Sequence, residues 1–248
     1  MWPEEGISLS DVIRHLQSDP DNSRAKSWFR ACALMFADSD QAVTGDVDSA
    51  SAAKKAQGLI HGFGRANGLF DAALNWHEPV IPGHADDELA RLRGMLWRYV
   101  MAYSAWELVA KSVLWRGRSV HSPLHDAFNK LLPAAGSLQP PYSSRSAAPA
   151  RLVQWLEEDA RQERCLPTFL GLGKTLKAFP FWLVNEKHRL NEQQVLAAMR
   201  HIVAHGALSP TKAKQWGLKT LYDQAPQRLQ LLTGNVLALL TTMSRTYS

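Results

Sequence analysis

Arg200, His201 and His205 are the residues whose types and spacing suit chemistry best. They fall within the stretch NEQQVLAAMRHIVAHG, residues 191–206. Histidines four apart project from one side of a helix, roughly 6 Å apart along its axis. Imidazole titrates near neutral pH and serves as acid or base, and guanidinium presents a planar fork to phosphate oxygens. Cleavage of RNA by its own 2′-hydroxyl needs such groups: a base for the hydroxyl proton, an acid for the leaving 5′-oxygen and positive charge on the phosphate. One such helix supplies half a site, and two supply a whole one.

The segment reads as a helix bounded at both ends. Asn191 is a good N-cap, Gln194 three residues on completes a capping-box pattern, and Gly206 stands where helices often end. At about 100° per residue, Val195, Leu196, Met199, Ile202 and Val203 share one apolar sector roughly 120° wide. Arg200, His201 and His205 lie outside it, with Ala197 and Ala204 beside them. Those alanines would let another helix approach closely, as in a symmetric dimer joined through Ala197, His201, Ala204 and His205. Because Arg200 and His205 are off the core face, their alanine variants are expected to spare folding, costing about 0.5 kcal/mol.

The string Arg200-His201-Ile202-Val203-Ala204-His205-Gly206 resembles the R-x4-6-H motif of the HEPN superfamily, over roughly residues 87–248. That resemblance implies an all-α helical bundle of HEPN type and a homodimer with a composite site. It implies a metal-independent endoribonuclease of the toxin-antitoxin or antiviral defence kind, without cofactor. Arg200 and His205 carry over as the catalytic pair and His201 as the polar position between them. Other readings stay open. Histidines near a helix C-terminus interact well with its dipole. The H-x3-H spacing also occurs in zinc metalloproteases, but Ile202 stands where their general-base Glu must be, and no third ligand is evident. A non-catalytic helical dimer that binds RNA or a protein partner is the competing class.

Composition fits this frame. The chain has 248 residues, 46% of them hydrophobic, enough for a sizeable core. Cys32 and Cys165 stand far apart in helix-forming sequence, which suits packing in a reducing cytoplasm better than a disulfide. No signal-peptide pattern or uninterrupted membrane-length run appears, so a cytoplasmic protein without membrane partners is expected. Residues 1–84 hold 7 basic and 11 acidic side chains, leaving 21 basic and 12 acidic beyond them. A polyanion would therefore be steered to the later two thirds, or that charge is simply a solvated basic surface.

The positioning segments follow in order. Residues 1–84 are expected to form an acidic helical N-terminal extension, with helices over 7–17, 23–37, 49–62 and 66–77. The Gly62–Gly68 run is not preceded by a strand, which argues against a dinucleotide loop and for a helix-ending turn. HEPVIPGHADDE marks the boundary with a basic helical bundle over residues 85–248. Between residues 87 and 115, Leu89, Leu92, Leu96, Tyr99, Tyr103, Trp106, Ala110 and Val113 form a heptad seam. Glu107 at its edge either reaches solvent or pairs with a cation of the motif helix; the second is slightly favoured, as a supporting residue.

Residues 118–150 are proline-broken, with a short helix at 124–132, and a further helix spans 151–164. GLGKT at 171–175 lacks the earlier glycine and leading strand of a P-loop. Lys174, Lys177, Lys212 and Lys214 could contact an RNA backbone. Trp216 is either a stacking surface or, the stronger reading, a packed residue in a turn. A final apolar stripe of Leu229, Leu232, Val236, Leu239, Leu240 and Met243 closes the bundle.

Overall fold

A computed structural model describes residues 8–36, 50–77, 88–113, 138, 140–142, 154, 178–179, 181–184, 190–204 and 208–246. The chain is all-α: α1 (Leu9–Gln17), α2 (Ser23–Phe36), α3 (Ala50–Leu74), α4 (Glu88–Val113), α5 (Glu192–Ala204), α6 (Pro210–Gln215) and α7 (Lys219–Thr246). Among the described residues no helix is long and apolar enough to cross a membrane. Residues 78–87, which include the expected boundary at 84, lie outside the described residues, as do most of 114–189 with its expected loop and helices.

By spatial proximity the chain forms two units of interleaved stretches, one of residues 1–71, 104–133 and 228–248, the other of residues 72–103 and 134–227. In the first, Ser8 caps α1, its hydroxyl accepting from the Asp11 N–H at 3.1 Å. The Ser10 hydroxyl then donates to the Asn67 side chain on α3 at 3.0 Å. Trp28 of α2 meets Phe63 of α3 edge to face, 6.2 Å between centroids. Asp19 receives the Ser23 hydroxyl and the Arg24 N–H at 2.5 and 2.8 Å, capping the start of α2.

The expected break at Gly62–Gly68 is corrected: α3 runs through it as one helix of 25 residues. Ala56, Leu59, Phe63, Ala66, Phe70 and Ala73 are all buried, alternating three and four apart. That continuous seam outweighs the roughly 1 kcal/mol that each interior glycine costs a helix. Gly62 also has a packing role, since a Cβ there would lie 1.8 Å from Ser112 Oγ of α4.

In the second unit, the α4 seam is buried at Leu92, Leu96, Tyr99 and Tyr103. Arg98 Nε donates to the Ala73 carbonyl at 3.0 Å, satisfying an end of α3. Ser209 caps α6 with Pro210 following. The helix closes with Gly217 at φ +61°. Its N–H reaches the Lys214 carbonyl at 3.1 Å, and the Leu218 N–H reaches that of Ala213 at 3.0 Å. This pair of bonds is the Schellman arrangement, which favours glycine at the left-handed position.

Candidate functional site

The motif helix α5 begins as the sequence indicates. The Gln194 N–H donates to Asn191 Oδ1 at 2.9 Å, and the Asn191 N–H donates to Gln194 Oε1 at 3.0 Å, forming a reciprocal capping box. Two buried tyrosines then hold the helix. Tyr222 of α7 donates to the Met199 carbonyl at 3.1 Å, and Tyr99 of α4 donates to that of Leu196. Their rings meet edge to face, 5.2 Å between centroids. Burial drives both phenols well above their ordinary range, so both remain protonated donors. Sequence reading placed Tyr99 on the α4 seam but missed that both hydroxyls grip α5. A buried Tyr needs a partner, and that rule was the available signal.

The face expected to await a second protomer is already covered within one chain. Ala197 is 1% exposed and His201 3%. Val195, Leu196, Ala198, Met199 and Ile202 are buried as well. This corrects both the proposed interface through Ala197 and His201 and the placement of His201 outside the core. Alanines do permit close approach, but the approaching groups belong to the same chain. Only Ala204 of the expected interface is exposed among the described residues, while His205 and Gly206 lie outside them.

Arg200 is half-buried, and its Nε is buried without a hydrogen-bond partner among the described residues. The amide nitrogen of Gln193, two turns earlier and 5% exposed, is in the same condition. Native structures leave few such donors orphaned, and each costs about 1–3 kcal/mol. The guanidinium also lies near Tyr99, where its charge opposes the rise of the phenol's pKa. Glutamine carries no titratable group, so nothing in the sequence singles out Gln193.

The remaining candidates divide. Glu107 is paired with Lys111 at 3.2 Å, one turn along α4. Lys214 is bonded to Glu88 at the start of α4. Lys212 lies 5.6 Å above the Trp216 ring. Trp216 is buried, and its carbonyl accepts from the Tyr142 hydroxyl, so it is the packed turn residue and not an open stacking surface. Lys174 and Lys177 lie outside the described residues. Comparison of the chain with protein-family models, curated proteins and solved structures returns no match.

Proposed function

We propose that this protein is a metal-independent endoribonuclease in which Arg200 binds the scissile phosphate and His205 transfers protons at the C-terminal end of α5. The observation that carries the reading is Arg200 itself, a half-buried guanidinium on a helix held by two tyrosines, whose Nε has no hydrogen-bond partner among the described residues. A guanidinium set by a packed stem is preorganised for an anionic oxygen at its open edge, and preorganised charge is a large part of phosphate-ester catalysis. His205 follows Arg200 five residues later in the sequence, the spacing of the R-x4-6-H pattern. A second copy meeting the exposed Ala204 end would complete the acid and base pair, giving a homodimer. Service in defence, under an antitoxin or another regulatory protein in the cytoplasm, belongs to the same proposal.

The burial of His201 and Ala197 favours a second reading, a non-catalytic helical module that binds RNA or protein. One assay separates them. Purified protein is incubated in EDTA with single-stranded and structured RNA, and the product ends are analysed. The enzyme leaves 2′,3′-cyclic phosphates, and Arg200→Ala and His205→Ala each lose about 100-fold to 10,000-fold, close to the double variant. Strictly Mg²⁺-dependent 5′-phosphate products, or full activity in both variants, would refute this mechanism.

A further inference from the structure

Residues of α1, α3 and α7 line a cavity of about 320 Å³ within the first unit. That volume stands at the lower end of the roughly 300–1,000 Å³ typical of small-molecule sites. Leu9, Phe70 and Leu237 are buried and give it an apolar side, whereas Ser8, Ser10 and Asp71 are exposed. Its hydrogen bonds decide what chemistry suits it. The Ser8 hydroxyl donates to Asp11 at 2.5 Å, the Ser10 hydroxyl to Asn67 Oδ1 at 3.0 Å and the Thr233 hydroxyl to the Leu229 carbonyl at 2.9 Å. A hydroxyl has one hydrogen and two lone pairs, so the three that line the cavity have their hydrogens engaged and keep accepting capacity. Asn67 Nδ2 donates to Asp71 Oδ2 at 3.0 Å, so the chain from Ser10 through Asn67 ends on a carboxylate. Asp71 is the one ionisable side chain among the described residues that line the space. The Asp11 N–H at the start of α1 is taken as well, by the Ser8 oxygen at 3.1 Å.

We infer that this cavity binds a small organic cation, a nitrogen base with several N–H groups on a compact apolar body. The N–H groups donate to Asp71 and to the hydroxyl oxygens, and the body covers Phe70 and Leu237. An anion would meet a carboxylate and few donors, and a wholly apolar ligand would leave the acceptors unpaired. The Gln230 amide can present either its oxygen or its nitrogen. The cavity belongs to the first unit and Arg200 to the second, so this inference stands apart from the ribonuclease reading.

The test uses three probes of nearly one shape: benzamidine, benzamide and benzoate, which are cationic, neutral and anionic. Each is titrated against the full chain at about 0.15 M salt, where distant charges are screened, and binding is read from protein NMR shifts. Benzamidine should saturate with a Kd on the order of 0.1–1 mM, benzamide should bind about 10-fold more weakly and benzoate more weakly still. Asp71→Asn keeps an acceptor for Asn67 but removes the charge, so it should weaken benzamidine about 10-fold and leave benzamide unchanged. Gln230→Glu adds a second carboxylate and should tighten benzamidine several-fold. Asp71 is exposed and Gln230 half-buried, so the melting temperature of the unliganded variants should move little. A packing gap with no ligand would bind none of the three probes, and that result overturns the inference. So do equal affinities for benzamidine and benzamide, a preference for benzoate, or benzamidine affinity unmoved in Asp71→Asn. Should a variant fail to fold, the wild-type order of the three probes decides alone.

Discussion

Replacing the glycines of α3 by alanine should give opposite signs within one helix. At Gly64 and Gly68 an added Cβ meets nothing within 4 Å, so each change should stabilise by up to about 1 kcal/mol through helix propensity. At Gly62 the same methyl would lie 1.8 Å from Ser112 Oγ and 2.9 Å from Ser112 Cβ. Rotating the hydroxyl away loses its 2.8 Å bond to the Leu108 carbonyl, worth about 1 kcal/mol, and leaves the Cβ clash. With overpacking at about 1–3 kcal/mol, the total cost of about 2–4 exceeds the propensity gain, leaving Gly62→Ala about 1–3 kcal/mol less stable. At about 2–4 °C per kcal/mol for a chain of this size, the melting temperature falls roughly 2–12 °C, against a rise of up to about 4 °C at Gly64. Calorimetry of the three variants measures this. Ser112→Gly removes both clashing atoms, so the double-mutant cycle with Gly62→Ala should show favourable coupling of about 1–3 kcal/mol. A Gly62→Ala protein that melts as high as Gly64→Ala, or a cycle with no coupling, refutes the close packing of α3 on α4.

The other predictions concern the hold on α5, the turn before α7 and two titratable groups. Tyr222→Phe should cost about 1 kcal/mol in urea unfolding and lower cleavage activity through the position of α5. Gly217→Ala should destabilise by about 1 kcal/mol or more, because its φ of +61° is strained for any residue with a Cβ. His15 is pulled below its usual 6.5 by burial first and then by the Arg24 charge, with Arg245 adding to it and Asp19 opposing. The unfolded chain therefore binds the proton more readily. This contribution is complete above pH 6.5 and is lost as the pH falls through the lower folded pKa, and His15→Gln should flatten that part of the stability profile. Burial pushes the Cys32 thiol up to about 12, so a maleimide or disulfide reagent should label it only after unfolding.

What the sequence made legible is what depends on local spacing. The capping box at Asn191 and Gln194, the α4 seam through Tyr99 and the packed Trp216 all follow from patterns a few residues long. The continuity of α3 was legible too, in the seam from Ala56 to Ala73, but counting Gly62, Gly64 and Gly68 as breakers hid it. Burial of the second face of α5 is different in kind, because periodicity shows which face is apolar and not whether neighbours also cover the other. That difference changes the energetics of the site. A half-buried Arg200 with an orphaned Nε is no neutral surface position, so the expected cost of about 0.5 kcal/mol on mutation does not describe it. Removing the orphaned donor relieves a penalty of about 1–3 kcal/mol, while truncation to alanine also deletes the packed stem. Arg200→Met, which keeps the stem, should therefore be at least as stable as wild type while losing RNA cleavage, and a marked fall in its melting temperature would show that the guanidinium holds the fold together.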